Sequence, residues 1–123
     1  MSTKSERVSE LLRGFRAGSP EIVGACVVSQ DGFIVASHVP NEIDEDLIGG
    51  MAASMLGVGE RIATELMRSQ MEQTYVRSPK GYIIVNSVGG EASLVLLVTR
   101  EAKLGLIFLE LKRMIIELAK HFV

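Results

Sequence analysis

The sequence has 123 residues, 47% of them hydrophobic and 23% charged, with a net charge of −2 at pH 7. That size and balance suit one globular domain, over residues 1–123, with a sizeable core. A near-neutral charge without a basic block argues against nucleic-acid and anionic-membrane partners, and one cysteine excludes an internal disulfide framework.

The start, MSTKSERVSE, is polar and shows no signal-peptide pattern. No apolar run approaches the roughly 20 residues of a membrane span, so a soluble, cytoplasmic protein without membrane insertion is expected. Thr3 and Glu6 form a capping-box pattern ahead of Val8, Leu11, Leu12 and Phe15 at helical spacing, and Gly18-Ser19-Pro20 ends that helix. Two Val/Ile-rich strands follow, Ile22 to Ser29 and Phe33 to His38, joined through Asp31-Gly32. Asn41 and Asp44 offer N-caps to a long helix from about Asp44 to Ser69. Strands are then expected at Met71 to Ser78, Tyr82 to Ser87 and Ala92 to Thr99, with turns at SPKG and Gly89-Gly90. A last helix runs from about Glu101 to His121.

The order α-β-β-α-β-β-β-α argues for an α+β domain with a mainly antiparallel sheet. IVGACVV and SLVLLV are apolar at consecutive positions, so those strands should be covered on both faces. EQTYVRS is polar on both faces and reads as an edge, which is a pairing site for another chain. The last helix has one main apolar stripe, with Leu106, Leu109 and Ile116 off it, which fits either a wide sheet contact or a second docking surface.

The long middle helix has two apolar stripes. Leu47, Ile48, Met51, Met55, Val58, Ile62 and Leu66 are expected to cover the sheet. Gly49, Ala52, Ala53, Leu56, Ala63 and Met67 lie well round the helix from them and are assigned to a seam with a second copy or a related chain, together with Thr74 and Val76 of the edge strand. The alternative is that the small-residue stripe folds into the domain's own core. Glu60, Arg61, Thr64 and Arg68, on the remaining flank, are candidates for a partner-binding rim.

No constellation carries chemistry. GVGERIA has Ile62 where the dinucleotide fingerprint wants Gly or Ala, and no Gly is followed by a Walker Lys-Ser/Thr pair. His38 and His121 stand alone, no nucleophile motif frames any serine, and Glu42, Asp44, Glu45 and Asp46 suit a helix start. The expectation is a non-enzyme with no catalytic residue, metal or cofactor.

The element order, VVSQDGFIVAS with its acidic helix start, and GYIIVNSVGGEASLVLLV together resemble the roadblock family of dynein-light-chain-like domains. The resemblance covers the chain from about Glu6 to Phe122. It implies a profilin-like fold, a five-stranded antiparallel sheet between the long central helix and the two terminal helices. It also implies dimers joined through third strands, here Glu72 to Ser78, and second helices. Family members bind Ras-like small GTPases as activators, exchange scaffolds or motor light chains. The compact form is similar to prokaryotic GTPase regulators, which reorganise the GTPase's own catalytic residues. The implied function is a dimeric regulator of a Ras-like small GTPase; the alternative is a structural adaptor with no effect on hydrolysis.

Overall fold

The computed structural model describes residues 3–122, in the order α1 (Lys4–Gly18), β1 (Ile22–Ser29), β2 (Ile34–His38), α2 (Glu45–Met67), β3 (Gln73–Ser78), β4 (Gly81–Val88), β5 (Ala92–Thr99) and α3 (Leu104–Ala119). Local chemistry sets the helix starts. Thr3 Oγ1 accepts from the Glu6 amide at 3.1 Å while Glu6 Oε1 accepts from the Thr3 amide at 3.0 Å, the expected capping box. Asp44 Oδ1 accepts from the amides of Asp46 and Leu47 and opens α2. α3 starts three residues later than expected, because the Ala102 amide closes a turn onto the Thr99 carbonyl first.

The strands form one antiparallel sheet in the order β2-β1-β5-β4-β3. The doubly apolar strands β1 and β5 sit side by side in the middle and are buried almost throughout, as their lack of alternation requires. The polar β3 pairs with β4 alone and forms an edge.

Strand alternation divides the core into two layers. Between the sheet and α1 with α3 lies the larger, built on Val8, Leu12, Ile84, Leu94, Leu96, Leu111 and Leu118. Between the sheet and α2 lies a smaller one of Cys26, Val28, Ala52, Val85 and Val95, with Ile48, Met55 and Leu56 packed against it. Cys26 is sealed there, and burial pushes its thiol up to about 11. Thiolate is the reactive form, so iodoacetamide at pH 8 should leave the native thiol unmodified and label it quickly in urea. The unfolded thiol ionises first, so this group's contribution to stability is full below about pH 9 and falls as the pH rises towards 11. Denaturation midpoints of the protein and of Cys26→Ala across that window check the sign.

Candidate interaction surface

The positions of glycine decide which side of α2 faces the sheet. The Asp31-Gly32 turn brings the Gly32 carbonyl against the helix at Gly49, where any Cβ would collide with that oxygen. About three turns further on, the Met71 thioether lies where a Cβ at Gly59 would stand. Large residues on this side would hold α2 off the hairpin, so the small stripe must face inward.

This reverses the expected assignment of the two stripes. Gly49 and Ala52 are buried against the chain's own sheet, Leu56 packs on the second core, and Ala53 and Ala63 are half-buried. They therefore do not form an exposed seam, although Met67 at the helix end is exposed. From the other stripe only Ile48 and Met55 reach the core. Leu47, Met51, Val58, Ile62 and Leu66 are all more than half exposed, with Val58 at 61% and Ile62 at 51%. The sequence reading missed this face because both stripes are apolar. The signal that separates them is steric: Gly at 49 and 59 marks the side of close approach.

The exposed band continues onto the sheet. Val76 of β3 and Ile83 of β4 are cross-strand partners on the face that carries α2, and both are exposed at 50% and 42%. Thr74, two residues before Val76, is half-buried on the same face. The outer amides and carbonyls of β3 have no strand partner. Tyr75 points to the opposite face, where its ring lies 5.9 Å from that of Phe108 and ties the edge strand to α3.

The four expected rim residues do not form one group. Glu60 is half-buried and faces a cleft of about 530 Å³ shared with Gln30, Gln70 and Ser87. Arg61 lies on the exposed side and pairs with Glu65 at 3.7 Å. Thr64 Oγ1 donates to the Ser69 carbonyl at 3.4 Å, near the helix end. Arg68 adopts the left-handed conformation at the C-cap, with φ 52° and ψ 43°. That conformation costs a non-glycine residue about 1–2 kcal/mol. Arg68→Gly is thus expected to stabilise the fold by about 0.5–1 kcal/mol after glycine's own entropic cost, a thermal shift of a few degrees.

The other candidates have structural places. His38 Nε2 sits 2.8 Å from Ser9 Oγ and 3.1 Å from the Ser9 carbonyl, holding β2 to α1. Among the described residues no three His, Cys, Asp or Glu side chains converge on a metal position. No helix there is long and apolar enough to cross a membrane.

An antiparallel sheet packed between α2 on one face and α1 with α3 on the other, with β3 unpaired on its outer edge and the apolar side of α2 exposed, defines a profilin-like α+β fold. Acanthamoeba castellanii profilin II shares that fold at a TM-score of 0.69 and 12% identity, over 94% of this chain and 98% of its own. Myxococcus xanthus MglB superposes at 0.89 with 17% identity, over 99% of this chain and 92% of MglB. The gliding protein MglB of Thermus thermophilus does so at 0.84 with 21% identity, over 98% and 92%. By sequence, two uncharacterised proteins of Methanocaldococcus jannaschii are each 37% identical over 92 residues, 75% of this chain and 80% of theirs. Residues 8–98 match the model of the Roadblock/LC7 domain. The chain belongs to the Roadblock/LC7 family.

Proposed function

We propose that the chain is a homodimeric regulator of a Ras-like small GTPase in the cytoplasm. It carries no chemistry of its own and acts by changing the nucleotide cycle of its partner. The observation that carries this reading is the exposed band of Leu47, Met51, Val58 and Ile62 beside Val76, Ile83 and the unpaired edge of β3. A band of large aliphatic side chains is unusual on an isolated domain and marks an interaction site. Pairing β3 with its symmetry mate satisfies the edge and sets the two bands side by side, an isologous contact of the kind that closes as a dimer. The GTPase as partner rests on the roadblock resemblance and on the likeness to the MglB structures.

Regulation requires different affinities for the two nucleotide states, since equal binding shifts nothing. Affinity capture from the source cytosol, with a non-hydrolysable GTP analogue and again with GDP, tests this. A small GTPase recovered mainly with the analogue supports the regulator. The same large partners recovered under both conditions would replace it with an adaptor.

A further inference from the structure

We propose that the cleft of about 530 Å³ between α2, the β1–β2 hairpin tip and the β4–β5 turn is a socket for an arginine side chain of a partner protein. On the α2 side its wall is low: Ala53 and Gly57 line it, and nothing lies within 4 Å of where a Gly57 side chain would start. Glu60 stands just under one turn further along and is half-buried. Among the described residues it is the one charged group lining the cleft, and its carboxylate has neither an ion pair nor a hydrogen bond. Gln30 turns its amide nitrogen to the Gly90 carbonyl, which leaves its side-chain oxygen free. Gln70 and Ser87 add two polar side chains without partners. Opposite Ser87, on the same face of the sheet, the fully buried Ser93 hydroxyl is also unpartnered. Buried polar groups normally find a partner. A partly desolvated carboxylate among neutral acceptors is satisfied best by a cation that carries several N–H groups.

A guanidinium supplies five donors in a flat fork and is weakly hydrated, whereas an ammonium offers three and holds its water more firmly. Four side chains that can accept, spread around one cleft, therefore suit arginine. A metal ion does not fit, because one carboxylate lines the space and no three His, Cys, Asp or Glu side chains converge among the described residues. A free amino acid fits no better: no Lys, Arg or His lines the cleft, so its α-carboxylate would sit unpaired near Glu60. The arginine is thus one carried on a neutral main chain. Asp31 and Glu91, in the two turns beside the cleft, are exposed carboxylates of the same sign as Glu60. Arg61 is held by Glu65 on the exposed side, and Arg68, at the C-cap, forms no ion pair with Glu60. Phe33, at the hairpin tip, is 71% exposed and offers the aromatic contact that protein partners use. Residues two apart on a helix point well away from each other, so Glu60 lies on the other flank of α2 from Ile62. The socket is separate from the exposed band and needs neither the dimer nor the GTPase.

The test titrates the isotope-labelled full chain with N-acetyl-arginine methylamide and follows its backbone amide resonances. Saturable shifts centred on Gln30, Glu60, Gln70 and Ser87 are expected. The citrulline counterpart, which keeps the shape and loses the charge, should bind at least about tenfold more weakly. Glu60→Gln should weaken arginine binding about tenfold, while Glu65→Gln, which removes the same charge from the outer side, should change it less than about twofold. Gly57→Leu grows a side chain into open space, so it should block binding while raising the melting temperature through helix propensity. Spectra of all three variants should otherwise stay native, since none of these side chains is packed in the core. No saturable shift, equal binding of the citrulline probe, or an equal loss in Glu65→Gln overturns the proposal. Free arginine binding more tightly than the capped probe also overturns it, by assigning the cleft to a small metabolite.

Discussion

Val58→Glu combined with Ile62→Glu should convert the proposed dimer into a folded monomer sedimenting near the 13.4 kDa chain mass. Both side chains lie on the exposed band of α2, so neither change touches the domain's own core. In a dimer closed through α2 they face a two-fold seam, where the change places four carboxylates together. An unpaired charge taken out of water costs several kcal/mol. A loss of that size weakens association by at least about a thousandfold. Leu56→Glu should behave differently. Leu56 packs on the second core, so a charge there is expected to lower the denaturation midpoint rather than dissociate a folded dimer. Sedimentation velocity with parallel urea melts distinguishes the two. A double-glutamate protein that remains a dimer would exclude the outer band from the interface.

Gly49→Ala should destabilise the fold by about 2–3 kcal/mol, while Gly50→Ala, one residue along, should stabilise it by up to about 1 kcal/mol. On helix propensity alone both changes would be gains. A methyl at Gly49 collides with the Gly32 carbonyl, and neither backbone can retreat without lifting α2 from the hairpin tip. At Gly50 nothing lies within 4 Å of the new carbon. The opposite signs at adjacent positions test the direction in which α2 faces. Two gains of equal size in urea denaturation would show that α2 does not approach the hairpin at Gly49.

The same glycines explain what was legible in the sequence. Element order, the central place of β1 and β5 and the edge place of β3 followed from composition, because a strand's two faces report separately on their covers. The capping residues Thr3 and Asp44 placed the starts of α1 and α2. The orientation of α2 does not follow from hydrophobicity, which points two ways along it, and small side chains suit contact between chains as well as within one. Their use here is within one chain, where Gly49 and Gly59 let α2 lie low on the hairpin and on Met71. Rotating the helix that way turns Leu47, Met51, Val58 and Ile62 outward. The expected rim divides for the same reason, with Glu60 half-buried by a cleft and Arg61 on the exposed side. Sequence alone fits the outer face of α3 to either of two uses. Its three off-stripe aliphatics are exposed and do not widen the sheet contact.

The most direct measurement of the central claim is single-turnover nucleotide chemistry on the small GTPase captured from the source cytosol. GTP hydrolysis and release of a fluorescent nucleotide would be followed with and without this chain. The account predicts that the dimer changes one of these rates by tenfold or more, and that the Val58→Glu/Ile62→Glu protein does not. Unchanged hydrolysis and release at saturating concentrations of the chain would contradict it.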